Sequence, residues 1–129
     1  MAKRILIVDD DPDFLDMTRL TLEAAGYAVT GAESAADAET MLESLRPDLV
    51  IFDLMLEDMD SGFVLSHRTK VRYPGLPIIM ISGVAAETGM AFDATTSEER
   101  SWLRADSFLD KPVRPEQIVQ EVRRLLADE

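Results

Sequence analysis

The amino-acid sequence predicts an α/β fold, an open doubly wound sheet of five parallel strands with helices on both faces. Short apolar runs alternate with segments of helical periodicity, the connections are short, and no repeat or low-complexity tract interrupts the order. Alternating strands and helices are typical of a parallel sheet that is covered by helices. A length of 129 residues fits one domain, which we expect to span residues 1–129.

Five short runs predict the strands. The runs KRILIV and DLVIFD are apolar over most of their length, a pattern of strands that are buried on both faces. Aspartates stand at the carboxyl end of both runs, so buried strands are expected to deliver negative charge to one edge of the sheet. The predicted strands span residues 3–8, 27–32, 48–53, 78–82 and 107–110.

Start and stop residues bound the predicted helices. Asp11 is expected to be the N-cap of the first helix, with Pro12 in its first turn and Gly26 at its end. Ser34 is expected to cap a second helix, which Pro47 ends. Two further helices are predicted over about residues 62–73 and 115–127.

Residues 83–106 break the regular pattern, so an atypical fourth-helix region is expected. A capping-box pattern that begins at Thr96 predicts a short helix over about residues 97–105. At least one of Trp102 and Leu103 is expected to fill the core there, the alternative being that the two form an exposed partner-binding patch. His67 is the only histidine, and we expect it to be an exposed or half-packed helical residue rather than a metal ligand.

The composition excludes several functions. A net charge of −12 argues against nucleic acid and against an anionic membrane surface as partners. The sequence has no cysteine, which excludes disulfides, zinc–thiolate sites and cysteine nucleophiles. Neither a long apolar span nor a signal peptide is present, so a cytoplasmic location is expected.

The carboxyl ends of the predicted strands carry the side chains that could take part in a reaction or bind a ligand. They are Asp9 and Asp10, then Asp53, then Ser82, with Lys111 just after the last strand. In a doubly wound sheet these ends face one crevice. Carboxylates a few ångströms apart repel by roughly 4 kcal/mol per pair, which a bound cation or proton would relieve, and an all-oxygen site suits Mg²⁺. A carboxylate beside such a cation, with a hydroxyl and an ammonium nearby, suits phosphoryl acceptance.

Four motifs in this order resemble those of the receiver domains of two-component response regulators, the CheY-like superfamily with a flavodoxin-like (βα)5 fold. VDD at residues 8–10 is similar to the acidic pair of the family, and VIFD at 50–53 to its phosphoacceptor strand. IIMIS at 78–82 resembles the strand that ends in the switch hydroxyl, and FLDKP at 108–112 the motif with the invariant lysine. The resemblance covers essentially the whole chain.

The resemblance implies a Mg²⁺ site and a phosphoacceptor. Asp10 and Asp53 would ligate the ion directly, Asp9 would act mainly through water, and Met55 would contribute its backbone carbonyl. Asp53 would accept a phosphoryl group from a phosphohistidine on a sensor histidine kinase or a phosphotransfer protein.

The resemblance also implies a switch. Ser82 would move toward the new phosphoryl group, and Phe108, in the position of the switch aromatic, would move inward behind it. Lys111 would bind the phosphate, and the peptide bond between Lys111 and Pro112 is expected to be cis.

The expected partners are the kinase or phosphotransfer protein and an unknown output protein, with no nucleic acid and no membrane. A dimer that forms on phosphorylation is also compatible with the resemblance. Kinase recognition is expected on the first helix near Phe14, Leu15 and Thr18. Such a protein promotes its own phosphorylation and dephosphorylation and turns over no separate metabolite, so it is not expected to be an enzyme.

Three departures from the family pattern stand in the sequence. Glu57 replaces the usual proline after the phosphoacceptor, Gly62 comes one residue later than usual, and the segment between Ser82 and Lys111 is longer than usual. The first two changes remove no chemical group. The third affects a face that many receivers use for output, so the output partner is left open.

Four other functions are compatible with parts of the sequence. A phosphohydrolase of the haloacid dehalogenase type needs a second acid two residues after its nucleophile, where this chain has Met55. A flavodoxin-like flavin binder needs a phosphate cradle in the first loop, where three aspartates would repel the phosphate. An EF-hand calcium loop needs glycine where Phe14 stands. A receiver that folds but is never phosphorylated is the fourth.

Overall fold

The computed structural model describes residues 3–53, 61–82, 106–110 and 113–126. Within these ranges the chain forms one parallel sheet in the spatial order β2-β1-β3-β4-β5. Because the chain adds β2 on one side of β1 and all later strands on the other, its direction across the sheet reverses between β1 and β3. A ligand crevice is expected at this point, outside the carboxyl ends of the strands. The strands are β1 Arg4–Val8, β2 Ala28–Ala32, β3 Leu49–Asp53, β4 Ile78–Ser82 and β5 Ser107–Asp110.

Four helices lie in the described ranges, and their ends follow from the local sequence. The Asp11 side chain accepts a hydrogen bond from the backbone N–H of Asp13 at 3.0 Å, and Ser34 Oγ accepts one from Asp37 N–H at 3.1 Å. Both residues are N-caps, as predicted. Gly26, with a φ of 101°, takes the left-handed conformation that ends the first helix. The helices are α1 Pro12–Ala24, α2 Ala35–Ser44, α3 Ser61–Arg72 and α4 Pro115–Leu126.

Alternating side chains of the strands divide the core into two halves. On β1, Leu6 and Val8 face α2 and α3, whereas Ile5 and Ile7 face α1 and α4. All four side chains are at most 1% exposed, which explains why the run shows no polar alternation. The prediction of an α/β fold, with a parallel sheet between helices on both faces, is confirmed.

One helix boundary differs from the prediction. α2 ends at Ser44, and Leu45 is already extended at φ −139°, so the helix stops before it reaches Pro47. A proline lacks the backbone N–H that a helix needs and restricts the residue before it. The short helix predicted over residues 97–105 and the side chain of Trp102 lie outside the described residues. His67 is an exposed residue of α3, as expected.

Within the described ranges, no helix combines the length and the apolar character that a membrane crossing requires.

Candidate functional site

Asp9 continues the edge that β1 forms. Its backbone N–H bonds to the carbonyl of Ala32 at 3.1 Å, so the pairing between β1 and β2 extends to this residue. One carboxylate oxygen, Oδ1, accepts the backbone N–H of Asp11 at 2.9 Å. The side chain is 1% exposed. Asp9 is therefore held by the strand on one side and by the start of α1 on the other.

Asp53 is the last residue of β3, in the middle of the sheet. β3 pairs with β1 and with β4, and Asp53 lies opposite Ile81 in that second pair. The residue is 5% exposed, next to the fully buried Phe52. Its backbone is therefore held by the pairing with β4 and by Phe52, which pairs with Val8 of β1. Asp10, which follows Asp9, is exposed.

The structure brings three of the predicted site residues together. Asp9, Asp10 and Asp53 each place a carboxylate oxygen within 4.8 Å of the others. The ligand oxygens of an octahedral Mg²⁺ lie about 3 Å apart when adjacent and about 4 Å apart when opposite. The cluster has the donor atoms that Mg²⁺ prefers, and its spacing needs only small side-chain movements or one bridging water.

The other predicted site residues are described in part or not at all. Ser82 ends β4, and its backbone pairs in register with Asp110 at the end of β5. Phe108 lies within β5 opposite Met80. These positions put the backbones of both residues on the strands that the sequence predicted. Met55, Lys111 and Pro112, with the cis peptide bond expected there, lie outside the described residues.

Comparison with known proteins decides the family. The chain matches the model of the response regulator receiver domain over residues 5–123. It belongs to this family. Receiver domains are regulatory parts of two-component response regulators, which are the partners of histidine kinases. The receiver fold therefore accounts for the acidic crevice, whereas the helix that begins at Pro12 leaves no room for a calcium-binding loop there.

Similar proteins include both regulators and isolated receiver domains. The DNA-binding dual master transcriptional regulator RpaA of Synechocystis sp. is 35% identical over 127 residues, which cover 95% of this chain and 48% of that protein. A CheY-like receiver domain protein from Methanospirillum hungatei is 31% identical with a TM-score of 0.82, and the match covers 99% of this chain and 96% of that one. The receiver domain of a histidine kinase from Syntrophus aciditrophicus is 30% identical with a TM-score of 0.82, covering 98% and 91%. This receiver thus spans about half the length of the RpaA relative.

The structure corrects the expected position of the kinase-recognition residues on α1. Leu15 is 5% exposed and Thr18 is 0% exposed, so both face the core and not a partner. Only Phe14 is partly accessible. With Leu22, the two buried residues form a stripe at helical spacing that packs on the sheet. The outer side of α1 in this receiver presents Met17 and Leu20, which are 41% and 67% exposed.

Asp106 is a positioning residue that the sequence did not reveal. Its carboxylate oxygen Oδ2 accepts the backbone N–H of Ile78 at 2.8 Å and the ammonium group of Lys70 at 2.9 Å, and its own N–H bonds to the carbonyl of Ile78 at 2.8 Å. These contacts fix the start of β5 against the start of β4. The register that follows places Ser82 opposite Asp110 at the other end. An aspartate just before a strand is the only signal in the sequence, and it does not identify Lys70.

Proposed function

We propose that this receiver, as a single domain over residues 1–129, accepts a phosphoryl group on Asp53 and changes conformation to regulate a protein partner. The observation that carries the proposal is the meeting of the carboxylates of the adjacent Asp9 and Asp10 with that of the distant Asp53, where β1 and β3 lie side by side. The donor would be a phosphohistidine of a sensor histidine kinase or of a phosphotransfer protein. In the transfer, the bond from phosphorus to the imidazole nitrogen breaks, and a bond to a carboxylate oxygen of Asp53 forms.

Asp53 is favoured over its two neighbours as the acceptor. One oxygen of Asp9 already accepts the N–H of Asp11 at 2.9 Å, and its 1% exposure restricts access. Asp10 is exposed and lies after the end of β1, so its geometry is set less firmly. Asp53 combines a backbone fixed in the central strand with a place at the crevice, and a nucleophile gains from such fixed positioning.

A divalent cation, which we propose to be Mg²⁺, would reduce the repulsion between the carboxylates and offset charge on the transferred group. Asp10 and Asp53 would hold it directly, Asp9 mainly through water, and the backbone carbonyl of Met55 would complete the protein ligands. The oxygen-only donor set supports this choice of metal.

We further propose roles for the residues that follow β4 and β5. The Ser82 hydroxyl would hydrogen-bond an oxygen of the phosphoryl group, and the Lys111 ammonium would pair with another. Phe108 would move inward behind Ser82, and the peptide bond between Lys111 and Pro112 would be cis. The backbone pairing of β4 and β5 supports this arrangement because it brings their carboxyl ends side by side.

In this proposal the protein acts in the cytoplasm. It promotes its own phosphorylation and dephosphorylation and turns over no separate metabolite. Its net charge of −12 disfavours direct contact with nucleic acid or with an anionic membrane. Its output would therefore pass through a protein contact or through a phosphorylation-dependent dimer.

The test is intact mass after incubation with acetyl phosphate and Mg²⁺. The wild-type chain and an Asp13→Asn control, which removes an exposed carboxylate from the first turn of α1, should each gain about 80 Da, one phosphoryl group. Asp53→Asn should gain nothing. A gain in the Asp53→Asn variant would show that another residue is the acceptor, and no gain in any variant would contradict phosphorylation by this donor.

A further inference from the structure

α2 and α3, which cover one face of the sheet, border a groove of about 500 Å³. Its floor is formed by Leu42, Leu65 and Thr69, which are 4%, 1% and 2% exposed. The Thr69 hydroxyl donates to the carbonyl of Leu65 at 2.7 Å, so the polar group on the floor is already satisfied. The base of the groove is therefore apolar and almost fully buried.

The two walls of the groove carry opposite charge. Glu39 and Glu43, one turn apart, line it from α2, and Arg68 and Arg72, also one turn apart, line it from α3. Arg68 Nη1 lies 2.6 Å from Glu39 Oε1, and Arg72 Nη2 donates to the carbonyl of Glu43 at 3.3 Å. Each arginine is thus level with one glutamate, and the two helices run in the same direction.

These walls remain open to solvent. The side chains of Arg68 and Glu39 are 65% and 37% exposed, so their ion pair leaves much of both charged groups uncovered. Val71, which also lines the groove, is 68% exposed. Val71 therefore adds one exposed apolar side chain to the charged walls.

We propose that a second copy of this chain docks on this groove, with a two-fold axis parallel to α2 and α3. Such an axis places α3 of one copy over α2 of the other and keeps every residue at its own level along the helices. Arg68 then faces Glu39 of the second copy, and Arg72 faces Glu43 of the second copy. The contact is isologous, as the interfaces of most dimers are, and each copy supplies both charges.

The charge pattern selects this axis over the alternative. A two-fold axis across the helices would place α2 over α2 and α3 over α3, so that like charges meet. The net charge of −12 on each copy opposes any association, but its long-range part is screened beyond about 8 Å at physiological ionic strength. Contacts between facing walls are shorter than that distance.

The experiment measures self-association of the full chain by sedimentation velocity, at physiological ionic strength, up to about 1 mM, the dissociation constant of a weak complex. The acidic-wall variant carries Arg68→Glu and Arg72→Glu on α3, and the basic-wall variant carries Glu39→Arg and Glu43→Arg on α2. A control carries Arg114→Glu and Arg123→Glu, exposed residues in and before α4, and matches the acidic-wall variant in net charge. Circular dichroism verifies that each variant is folded.

The proposal expects the wild type and the control to dimerise and each wall variant to lose at least tenfold in affinity. An equimolar mixture of the two wall variants should regain dimers, because every facing pair is again of opposite charge. A chain with all four wall substitutions should also dimerise, and it keeps the pairing between its own helices, so it tests the idea even if a wall variant folds poorly.

Three results would overturn the proposal. A wild type that is monomeric at every concentration would show that a second copy of the chain does not dock on the groove. Wall variants that dimerise like the wild type would place the interface on another face. Wall variants that dissociate and are not restored by mixing would exclude the pairing of the facing walls.

Discussion

Replacing Asp53 by asparagine should stabilise the protein when no divalent cation is present. The substitution keeps the size of the side chain and removes one of three neighbouring negative charges. Under the proposed function, loss of the Asp53 carboxylate abolishes phosphorylation. A gain in stability in the same variant would show that the acidic cluster lowers the stability of the fold and that the fold does not require it. A site that lowers stability for the sake of function is expected where like charges are held together.

The magnitude follows from the distance between the two buried carboxylates. Asp9 and Asp53 are 1% and 5% exposed, and their oxygens lie within 4.8 Å. At an effective dielectric constant of about 20, two unit charges at that distance repel by about 3 kcal/mol. Replacing the carboxylate by an amide also weakens any hydrogen bond that the carboxylate accepts, at a cost of about 1–2 kcal/mol. The free energy of unfolding should therefore rise by about 1–2 kcal/mol.

The effect is measured by thermal unfolding of each protein in two buffers, one with a chelator and no Mg²⁺ and one with millimolar Mg²⁺ and no chelator. The Asp53→Asn midpoint should exceed that of the wild type by about 3–8 °C without Mg²⁺. Mg²⁺ should raise the wild-type midpoint by linkage and change that of the variant much less. A variant that is less stable than the wild type without Mg²⁺, or equal stabilisation of both proteins by Mg²⁺, would refute the reasoning.

Substitutions at three other positions test a buried hydroxyl, a hydrogen-bonded carboxylate and an ion pair of the structure. Thr18 has a hydroxyl with no hydrogen-bond partner among the described residues and is 0% exposed; Thr18→Val should raise the free energy of unfolding by about 1 kcal/mol in urea titrations, and a loss would reveal a partner for the hydroxyl. Asp106→Ala should cost about 1–3 kcal/mol because it leaves the N–H of Ile78 and Lys70 without their shared partner, whereas Asp106→Asn, which keeps an acceptor for Ile78, should cost less; equal losses would argue against the backbone contact. Hydrogen bonds from Arg124 hold the pKa of Glu121 below its ordinary value of 4.5, with a smaller contribution from Ser107 and against the opposing effect of burial, so its contribution to stability is present above pH 4.5 and is lost as the pH falls through the lower folded-state pKa. Glu121→Gln should flatten this part of the pH dependence, and an unchanged acid limb would contradict the assignment.

The fold could be predicted from the sequence because the signals for strands, helices and helix ends are local and recur along the chain. The capping residues Asp11 and Ser34 and the stop at Gly26 depend on backbone chemistry within one turn, and each predicts a boundary without knowledge of the rest of the chain. The meeting of Asp9, Asp10 and Asp53 was also predictable, since parallel strands place their carboxyl ends at one edge.

Contacts between elements could not be predicted in the same way. The hydrogen bond from Lys70 to Asp106 joins residues 36 positions apart. The sequence around either residue does not identify the other as its partner. The family resemblance placed kinase recognition near Leu15 and Thr18, but the packing of α1 on the sheet buries both side chains. The facing of acidic residues on α2 and basic residues on α3 could not be predicted, because it depends on the fold that places Glu39 beside Arg68.

The pairing of β1 with β3 has a consequence for the order of events during folding. The strands are separated in sequence by β2 and two connecting helical segments, so their contact closes a long loop and is expected to form late. That same step brings the carboxylates of Asp9 and Asp53 together against their repulsion. If Asp53 is the phosphoacceptor, a chain in which the two halves of the sheet have not joined has no acceptor site. Phosphorylation would then require the pairing of β1 with β3, and a copy that lacks this pairing could not carry the signal.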